Sequence, residues 1–168
     1  MEFLLTNLFG AVLGLIVGLS YSNIATWVTR TSRQKTARSK LAKAYRFNLD
    51  RIIQMLGQLS SAPPEIPNYP FDTDPIKTVL FYGDDLLGTP VEIQSYNSHR
   101  YQLDHLNLKL TQLLAASNPE RQIKTMQDFL SHLRGEQKAI EDILLKLEEA
   151  STLLVNKNEQ CDAPKSSG

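Results

Sequence analysis

Hydrophobic residues follow two different patterns along the 168-residue chain. Residues 3–29 form one continuous stretch without a charged side chain, and its first two thirds are mostly apolar. From Leu41 onward, apolar residues instead recur every three or four positions, which places them on one face of an α-helix. No segment stands out for the alternating pattern of a half-buried strand. The pattern therefore predicts an all-α protein, with an apolar N-terminal helix followed by amphipathic helices.

The apolar segment has the length of a transmembrane helix. A helix needs about 20 mostly apolar residues to cross a hydrocarbon core of about 30 Å, and Phe3–Tyr21 meets this requirement. Tyr21 and Trp27 suit the headgroup region, where amphipathic rings are enriched. Two alternatives are a buried core helix and a cleaved signal peptide, but the latter expects a basic start and the chain begins Met1-Glu2. We expect residues 1–29 to be a membrane anchor.

Small residues recur along this segment with a spacing of four. Gly10, Gly14 and Gly18 are continued by Ser22 and Thr26, and residues four apart share one helix face. Small side chains on one face allow a second helix to approach closely in lipid. The row resembles a glycine zipper and predicts a homo-oligomer, with a passive monomeric anchor as the alternative.

The charges divide into three unlike segments. The chain has 18 basic and 18 acidic residues, yet residues 1–29 carry −1, residues 30–51 carry +7 and residues 52–168 carry −6. Basic residues that follow an apolar segment favour the cytoplasmic side. We therefore expect an inner-membrane protein with its N-terminus outside and its C-terminal domain in the cytoplasm.

The basic segment 30–51 is predicted to be a juxtamembrane helix that binds anionic lipid headgroups. Its membrane-surface residues are Arg30, Arg33, Lys35, Arg38, Lys40, Lys43 and Arg46. Nucleic acid is the alternative ligand, but it would want interleaved aromatic residues, and only Tyr45 and Phe47 are present. The acidic charge of the following domain further disfavours nucleic acid as a partner.

Proline, glycine and helix-capping residues divide the remainder of the chain into helices. No proline precedes Pro63, so the first helix is expected to continue without a break from the apolar segment. A Pro-rich connection is predicted at 62–75, with Asp74 as the N-cap of a short helix that ends near Gly83. Thr89-Pro90-Val91-Glu92 is a capping box that begins the next helix.

Two long amphipathic helices follow and are joined by the short segment 115–119, which makes them antiparallel. The first is predicted to bury Tyr96, His99, Leu103, Leu106, Leu110 and Leu113. The second has a heptad pattern that runs through Ile123, Met126, Leu130, Leu133, Gln137, Ile140, Leu144, Leu147, Ser151 and Leu154. The bundle is expected to span residues 41–156, and the polar segment 157–168 is expected to be a disordered tail.

The sequence contains few groups that suggest catalysis, and no cofactor or metal site is predicted. The single Cys161 excludes a disulfide framework and a cysteine-rich zinc site. Asp128, His132 and Glu136 share a helix spacing, for which solvated charge pairing is the simpler explanation. Arg100 and His105 form an R-x4-H string on a predicted helix, with Arg100–Asp104 pairing and a solvated His105 as the alternative.

This string resembles the R-x4-6-H motif of HEPN-type RNases. The resemblance implies that Arg100 contacts the scissile phosphate and His105 transfers a proton, although Tyr101 departs from the residues usual after the arginine. The layout is also similar to membrane-anchored HEPN-like accessory proteins of RNA-targeting CRISPR systems, and to uncharacterised bacterial single-pass membrane proteins with a cytoplasmic helical domain.

Two function hypotheses follow from these observations. The first is a non-enzymatic, self-associating membrane protein that acts as an assembly, sensing or membrane-perturbing effector module. The second is a membrane-bound HEPN-like RNase, or a degenerate HEPN pore-forming defence accessory protein.

Overall fold

A computed structural model describes the backbone of residues 2–162 and the side chains of residues 17, 18, 20–83, 86–150 and 152. Over this part of the chain, every regular element is a helix, as the pattern of apolar residues predicts. The helices are α1 (Glu2–Leu59), α2 (Asp74–Tyr82), α3 (Asp84–Leu87), α4 (Pro90–Leu114) and α5 (Pro119–Asp162).

Helix α1 has 58 residues and no break, so at 1.5 Å per residue it is about 87 Å long. It joins the apolar N-terminal segment directly to the helical bundle. It ends where the Ser60 and Ser61 amides donate to the carbonyls of Leu56 and Gln58, just before Pro63. A proline at that point cannot continue a helix ladder. The continuity expected from the absence of an early proline is therefore confirmed.

The membrane-spanning segment predicted at 1–29 lies largely outside the described side chains, which begin at Val17. When the search is restricted to the described residues, none of the helices combines the length and the apolar character needed to span a bilayer.

The core lies where α1, α4 and α5 pack together. Helix α1 contributes Leu41, Ala44, Tyr45, Ile52, Met55 and Leu59, while α4 contributes Tyr96, Leu103, Leu106, Leu110 and Leu113. Helix α5 runs antiparallel to α4, because His99 lies near Glu136 and Lys109 lies near Asp128 further down the pair. The buried side chains of α4 match those predicted, except that Arg100 is buried in place of His99.

The heptad pattern predicted for α5 is confirmed at Leu133, Ile140, Leu144 and Leu147, whereas Phe129 and Glu136 are buried in place of Leu130 and Gln137. The buried residues are Phe129, Leu133, Glu136, Ile140, Ile143, Leu144 and Leu147. Ile123 is 54% exposed because it lies near the end of the α4–α5 hairpin. Gln137, predicted in the core, instead donates to the Glu141 carboxylate on the exposed side. Ser151 and Leu154 lie outside the described side chains.

Two asparagines fix the path of the Pro-rich connection. Asn48 on α1 donates to the Asp72 carbonyl at 2.8 Å and accepts from the Asp72 amide at 2.9 Å. Asn107 on α4 makes the same pair of bonds to the carbonyl and amide of Phe71. An extended segment has no ladder of its own, so these side chains satisfy backbone groups that would otherwise be buried unpaired. The connection is thereby held between α1 and α4.

Helix α2 begins one residue earlier than predicted. Its N-cap is Thr73, and Asp74 is the first helical residue rather than the cap. The Thr73 hydroxyl donates to the Asp104 carboxylate at 2.7 Å, which ties the start of α2 to α4. Asp74 remains favourable in the first turn because a carboxylate there complements the helix dipole.

The capping box of α4 is confirmed. The Glu92 amide donates to the Thr89 hydroxyl, while the Thr89 amide donates to the Glu92 carboxylate. The bond from the Thr89 amide holds the pKa of Glu92 below its usual value. Gly88 precedes this cap with φ +144°, and a Cβ at this position would meet the Glu92 carboxylate that closes the capping box. The positive φ favours glycine here, and a side chain would also displace Glu92 from the cap.

Helix α5 continues to Asp162, so residues 157–162 are helical where the sequence predicts a disordered tail. Between Pro119 and Pro164 the segment contains no proline to stop the helix. Pro164 disfavours the helical conformation at the residue before it. Residues 163–168 lie outside the described part of the chain.

The buried phenol of Tyr45 makes stability sensitive to alkaline pH. Its hydroxyl donates to the Tyr96 carbonyl at 2.6 Å, and burial, with the nearby Glu136 carboxylate, raises its pKa far above 10.0. The folded chain therefore keeps this proton while the unfolded chain loses it above about pH 10. The stabilisation is complete below pH 10 and is lost as the pH rises further.

We expect Tyr45→Phe to cost about 1 kcal/mol near neutral pH, through the lost hydrogen bond. Above pH 10 its deficit should shrink by about 1.4 kcal/mol per pH unit, because the variant has no phenol to ionise. Urea unfolding of the detergent-solubilised chain between pH 7 and 11 measures this. Tyr82→Phe, at a position that is 78% exposed, is the control. Parallel pH profiles for Tyr45→Phe and the unmodified chain would contradict the assignment.

Candidate functional site

The seven predicted membrane-surface cations are divided between two roles. Arg38 Nη1 donates to the Ala150 carbonyl at 3.3 Å, and Arg46 Nη2 lies 2.6 Å from the Glu148 carboxylate. Both therefore hold α1 against α5 instead of pointing freely into solvent. The Arg46–Glu148 pair is more than half exposed, so it contributes little to stability.

The other five cations are Arg30, Arg33, Lys35, Lys40 and Lys43, and none has an ion-pair partner among the described residues. Each lines one of the grooves along α1. Their charge is available to a ligand that approaches this helix.

A groove runs between α1 and the corner formed by α2 and α3. A cavity of about 360 Å³ has Arg33 and Lys40 on its rim, with Ala37, Val79, Tyr82 and Leu86 among its apolar lining. A second cavity of about 540 Å³ shares Arg33 and Leu86 with the first and extends along α1 to Ala25. The two cavities form one groove, which we call the α1–α2 groove. The end of the groove at Ala25 is the end nearer to the apolar N-terminal segment.

Small residues allow this corner to approach α1. A Cβ on Gly83 would lie 3.5 Å from the Ala37 Cβ and only 3.0 Å from the Val79 carbonyl oxygen. A side chain at this position would crowd the last turn of α2, because its nearest neighbour is the Val79 backbone carbonyl, and it would stand in contact with Ala37 on α1. Phe81 and Tyr82, at 75% and 78% exposure, pack edge to face beside the groove with ring centroids 4.9 Å apart.

Arg100 is held by several groups on its own helix. Its Nη1 donates to the Asp104 carboxylate at 3.0 Å, and its Nε donates to the Asn97 side chain at 3.0 Å. Its guanidinium also stacks on the Tyr101 ring, 3.8 Å from the centroid. The side chain is largely buried beside α2, where Lys77 lines the same cavity. The pairing with Asp104 expected from the i,i+4 spacing is confirmed.

His105 is exposed and faces α5 instead. Its ring lies 6.2 Å from the ring of His132, centroid to centroid. The His132 Nδ1 contacts the Asp128 carbonyl, and the Asp128 carboxylate accepts a hydrogen bond from Lys109. That bond lowers the pKa of Asp128. Within one chain, Arg100 and His105 therefore lie beside different helices and do not form a common site.

The buried Glu136 was not predicted. Its carboxylate lies 3.1 Å from Nδ1 of His99, and only 8% of the side chain is exposed. The expected spacing with Asp128 and His132 does not bring Glu136 to their side, because it turns towards α4. The signal was the sequence Phe129, Leu133, Glu136, Ile140, which places this carboxylate in an otherwise apolar row. Among the described side chains, no three His, Cys, Asp or Glu residues are placed to hold a metal ion.

The glycine row is described only at its C-terminal end. Gly10 and Gly14 lie outside the residues whose surroundings the structure describes. At Gly18, an added Cβ would have no other atom within 4 Å. Ser22 is exposed, and its carbonyl accepts a hydrogen bond from the Thr26 hydroxyl. This end of the row is open in a single chain.

Comparisons with protein-family models, with curated proteins and with solved structures found no match.

The His99–Glu136 contact should behave as a coupled pair. We expect His99→Leu to destabilise the chain by about 1–3 kcal/mol, because the Glu136 carboxylate stays buried without this partner. The double variant His99→Leu/Glu136→Leu should recover most of that loss, since no buried charge remains. Urea unfolding of the two single variants and the double variant measures the coupling. Additive losses would show that the two groups act independently.

Proposed function

We propose that the chain is a non-enzymatic, single-pass membrane protein whose helical bundle lies in the cytoplasm. It acts there as an assembly, sensing or membrane-perturbing effector module. The observation that supports this most directly is the continuity of α1, which joins the charge-free segment 3–29 to the bundle core without a loop. A change in packing or rotation of the N-terminal helix would therefore move core residues such as Leu41 and Tyr45 directly.

Two features support placement at the cytoplasmic face of an inner membrane. The first cations of the chain come directly after Thr29, where a spanning segment would leave the bilayer. Trp27 and Val28, each 53% exposed, precede them on the same helix. The five cations that have no ion-pair partner among the described side chains would then face anionic headgroups. Each basic residue near such a surface contributes about 1 kcal/mol to binding.

The open small-residue row supports self-association. Gly18 and Ser22 leave one face of α1 uncovered in a single chain, and the spacing continues towards Gly14 and Gly10. Close packing on such a face is a main source of helix association in lipid. A homo-oligomer formed there would gather several bundles on one side of the membrane.

The alternative function is a HEPN-like RNase, or a degenerate HEPN accessory protein that forms a pore. It would need Arg100 and His105 to meet across two chains, because they face different helices within one chain. In each chain Arg100 is already bound to Asp104 and Asn97. These contacts favour a structural role for Arg100, and the nuclease therefore remains the second hypothesis.

The size of the detergent-solubilised protein tests self-association. We expect the unmodified chain to be an oligomer, and Gly10→Leu/Gly14→Leu/Gly18→Leu to be a monomer, because leucine side chains prevent close approach. Light scattering coupled to size-exclusion chromatography gives the mass. Leu13→Ile, on the same segment but outside the row, should leave the oligomer unchanged.

Oligomer mass, cellular phenotype and RNA cleavage together separate the two functions. Arg100→Ala and His105→Ala should retain the oligomer and any cellular phenotype of the unmodified chain, whereas Gly14→Ile should lose both. RNA cleavage by the purified protein that disappears in both alanine variants would overturn the non-enzymatic proposal. A monomeric mass for both the unmodified chain and the leucine variant would remove self-association.

Topology can be tested independently. A reporter that is active only in the cytoplasm, fused after Gly168, should be active, because the cations that follow Thr29 retain that flank inside. Replacing Arg30, Arg33 and Lys35 with glutamine while inserting three lysines after Met1 should reduce the signal. An active periplasmic reporter at Gly168 in the unmodified chain would refute the proposed orientation.

A further inference from the structure

We propose that the α1–α2 groove binds one anionic phospholipid, whose phosphate lies between Arg33 and Lys40 and whose acyl chain follows α1 towards Ala25. The inference rests on the proposed membrane placement and names the site at which the protein would recognise a lipid. It also requires that this groove, rather than the whole basic segment, contains the specific site.

The charges around the groove suit an anionic headgroup. Arg33 and Lys40 are both exposed. Among the residues whose side chains the structure describes, neither has an ion pair and no acidic residue lines the cavity between them. Among the described side chains, the nearest acidic groups that line a neighbouring cavity are Asp72 and Asp74, which lie beyond Lys40 beside Lys43. Among the described residues, the unbalanced positive charge of the groove therefore lies between Lys40 and Arg30. The planar guanidinium of Arg33 can bind a phosphate through two hydrogen bonds.

The dimensions and position of the groove suit an acyl chain. From Lys40 to Ala25 the groove follows 15 helix residues, or about 22 Å, which exceeds the roughly 15 Å of hydrocarbon in one leaflet. Leu86 lines both parts of the groove, and Val79 and Tyr82 add apolar surface in the part beside Lys40. The part towards Ala25 is lined by Thr26, Thr29, Arg30 and Arg33 as well. The groove extends along α1 towards the apolar segment. A lipid chain would therefore enter from the bilayer, while its headgroup is bound at the cations.

Three of the hydroxyl groups that line the groove along α1 favour a hydrocarbon over a peptide. Thr26, Thr29 and Thr36 look polar in the sequence, but each hydroxyl donates to the carbonyl four residues earlier on α1. Their hydrogens are therefore not available to a ligand. An extended peptide needs partners for its backbone groups, which the wall of α1 offers only sparingly. An acyl chain needs none.

Titration of the full chain in maltoside micelles with phosphatidylglycerol, followed by native mass spectrometry, tests the site. We expect one tightly bound phosphatidylglycerol per chain, with phosphatidylcholine bound at least tenfold more weakly. Lys40→Gln should weaken the binding of phosphatidylglycerol about fivefold, and Arg33→Gln/Lys40→Gln at least tenfold. Lys35→Gln removes the same charge from another part of the basic segment and should change binding less than twofold. Equal losses for Lys40→Gln and Lys35→Gln would overturn the proposal in favour of general attraction.

Filling the groove provides a test that leaves the charges unchanged. Thr36→Trp places a large ring in the groove and should abolish tight lipid binding, whereas Ser39→Trp, at an exposed position outside it, should not. Circular dichroism checks that each variant retains its helices. Displacement of the lipid by glycerol phosphate at similar concentration would show that only the phosphate is recognised. Displacement by an acidic amphipathic peptide at such concentrations would show that a peptide is the preferred ligand. Either result would overturn the lipid proposal.

Because the titration is done in micelles, it does not require the chain to span a membrane. Release of the cellular protein by alkaline carbonate, with groove binding intact, would refute the proposed anchoring while leaving the lipid site in place. Retention in the membrane, together with equal lipid binding by Thr36→Trp and the unmodified chain, would refute the lipid site while leaving the proposed anchoring in place.

Discussion

The continuity of α1 is the constraint on which the rest of the structure depends. No proline occurs before Pro63, so one helix carries both the charge-free segment and a large share of the bundle core. The other helices then pack around its C-terminal half, with α5 on one side and the α2–α3 corner on another. A loop after Thr29 would allow the bundle to rotate independently, whereas a continuous helix fixes the faces of both halves relative to each other.

Because α1 is continuous, the cations of the basic segment face two different neighbours. Residues eight apart, Arg38 and Arg46, turn towards α5 and contact its Ala150 carbonyl and Glu148 carboxylate. Arg33 and Lys40, seven apart, turn towards α2 and line the groove. A row of cations that looks uniform in the sequence therefore performs two tasks. Two of its members join helices, and the others offer charge to the surface of the molecule.

The sequence predicts local features better than the contacts between helices. The capping box at Thr89 and Glu92, the end of α2 near Gly83 and the continuity of α1 each depend on residues close together in the chain, and each is confirmed. The position of Glu136 in the core depends on which side of α5 faces His99, and a pattern of seven-residue repeats fixes this only to within about one position. The α2 cap lies at Thr73 instead of the predicted Asp74, and the Thr73 hydroxyl contacts Asp104, which is 31 residues away and is not visible in a local pattern.

The candidate groove could not be predicted from the sequence, because it also depends on contacts between helices that are distant in the chain. Its two walls come from α1 and from residues 78–86, and nothing in either segment specifies the other. The sequence predicts that the cations on its rim bind a membrane surface. The apolar lining of the groove depends on the contact between Gly83 and Ala37, which only the folded structure shows. The pairing of small residues across helices has no local signature, because alanine and glycine also occur where nothing approaches them.

The two asparagines that hold the Pro-rich connection bind only backbone atoms, the amides and carbonyls of Phe71 and Asp72. Every residue except proline offers these same two groups. The path at residues 71 and 72 is therefore specified from the helices, while the buried Phe71 and the partly buried Ile66 and Tyr69 anchor the connection to the core. Its exposed residues, such as Glu65 and Asn68, could accordingly be exchanged for a binding epitope or a chemical label without redirecting the chain between α1 and α2.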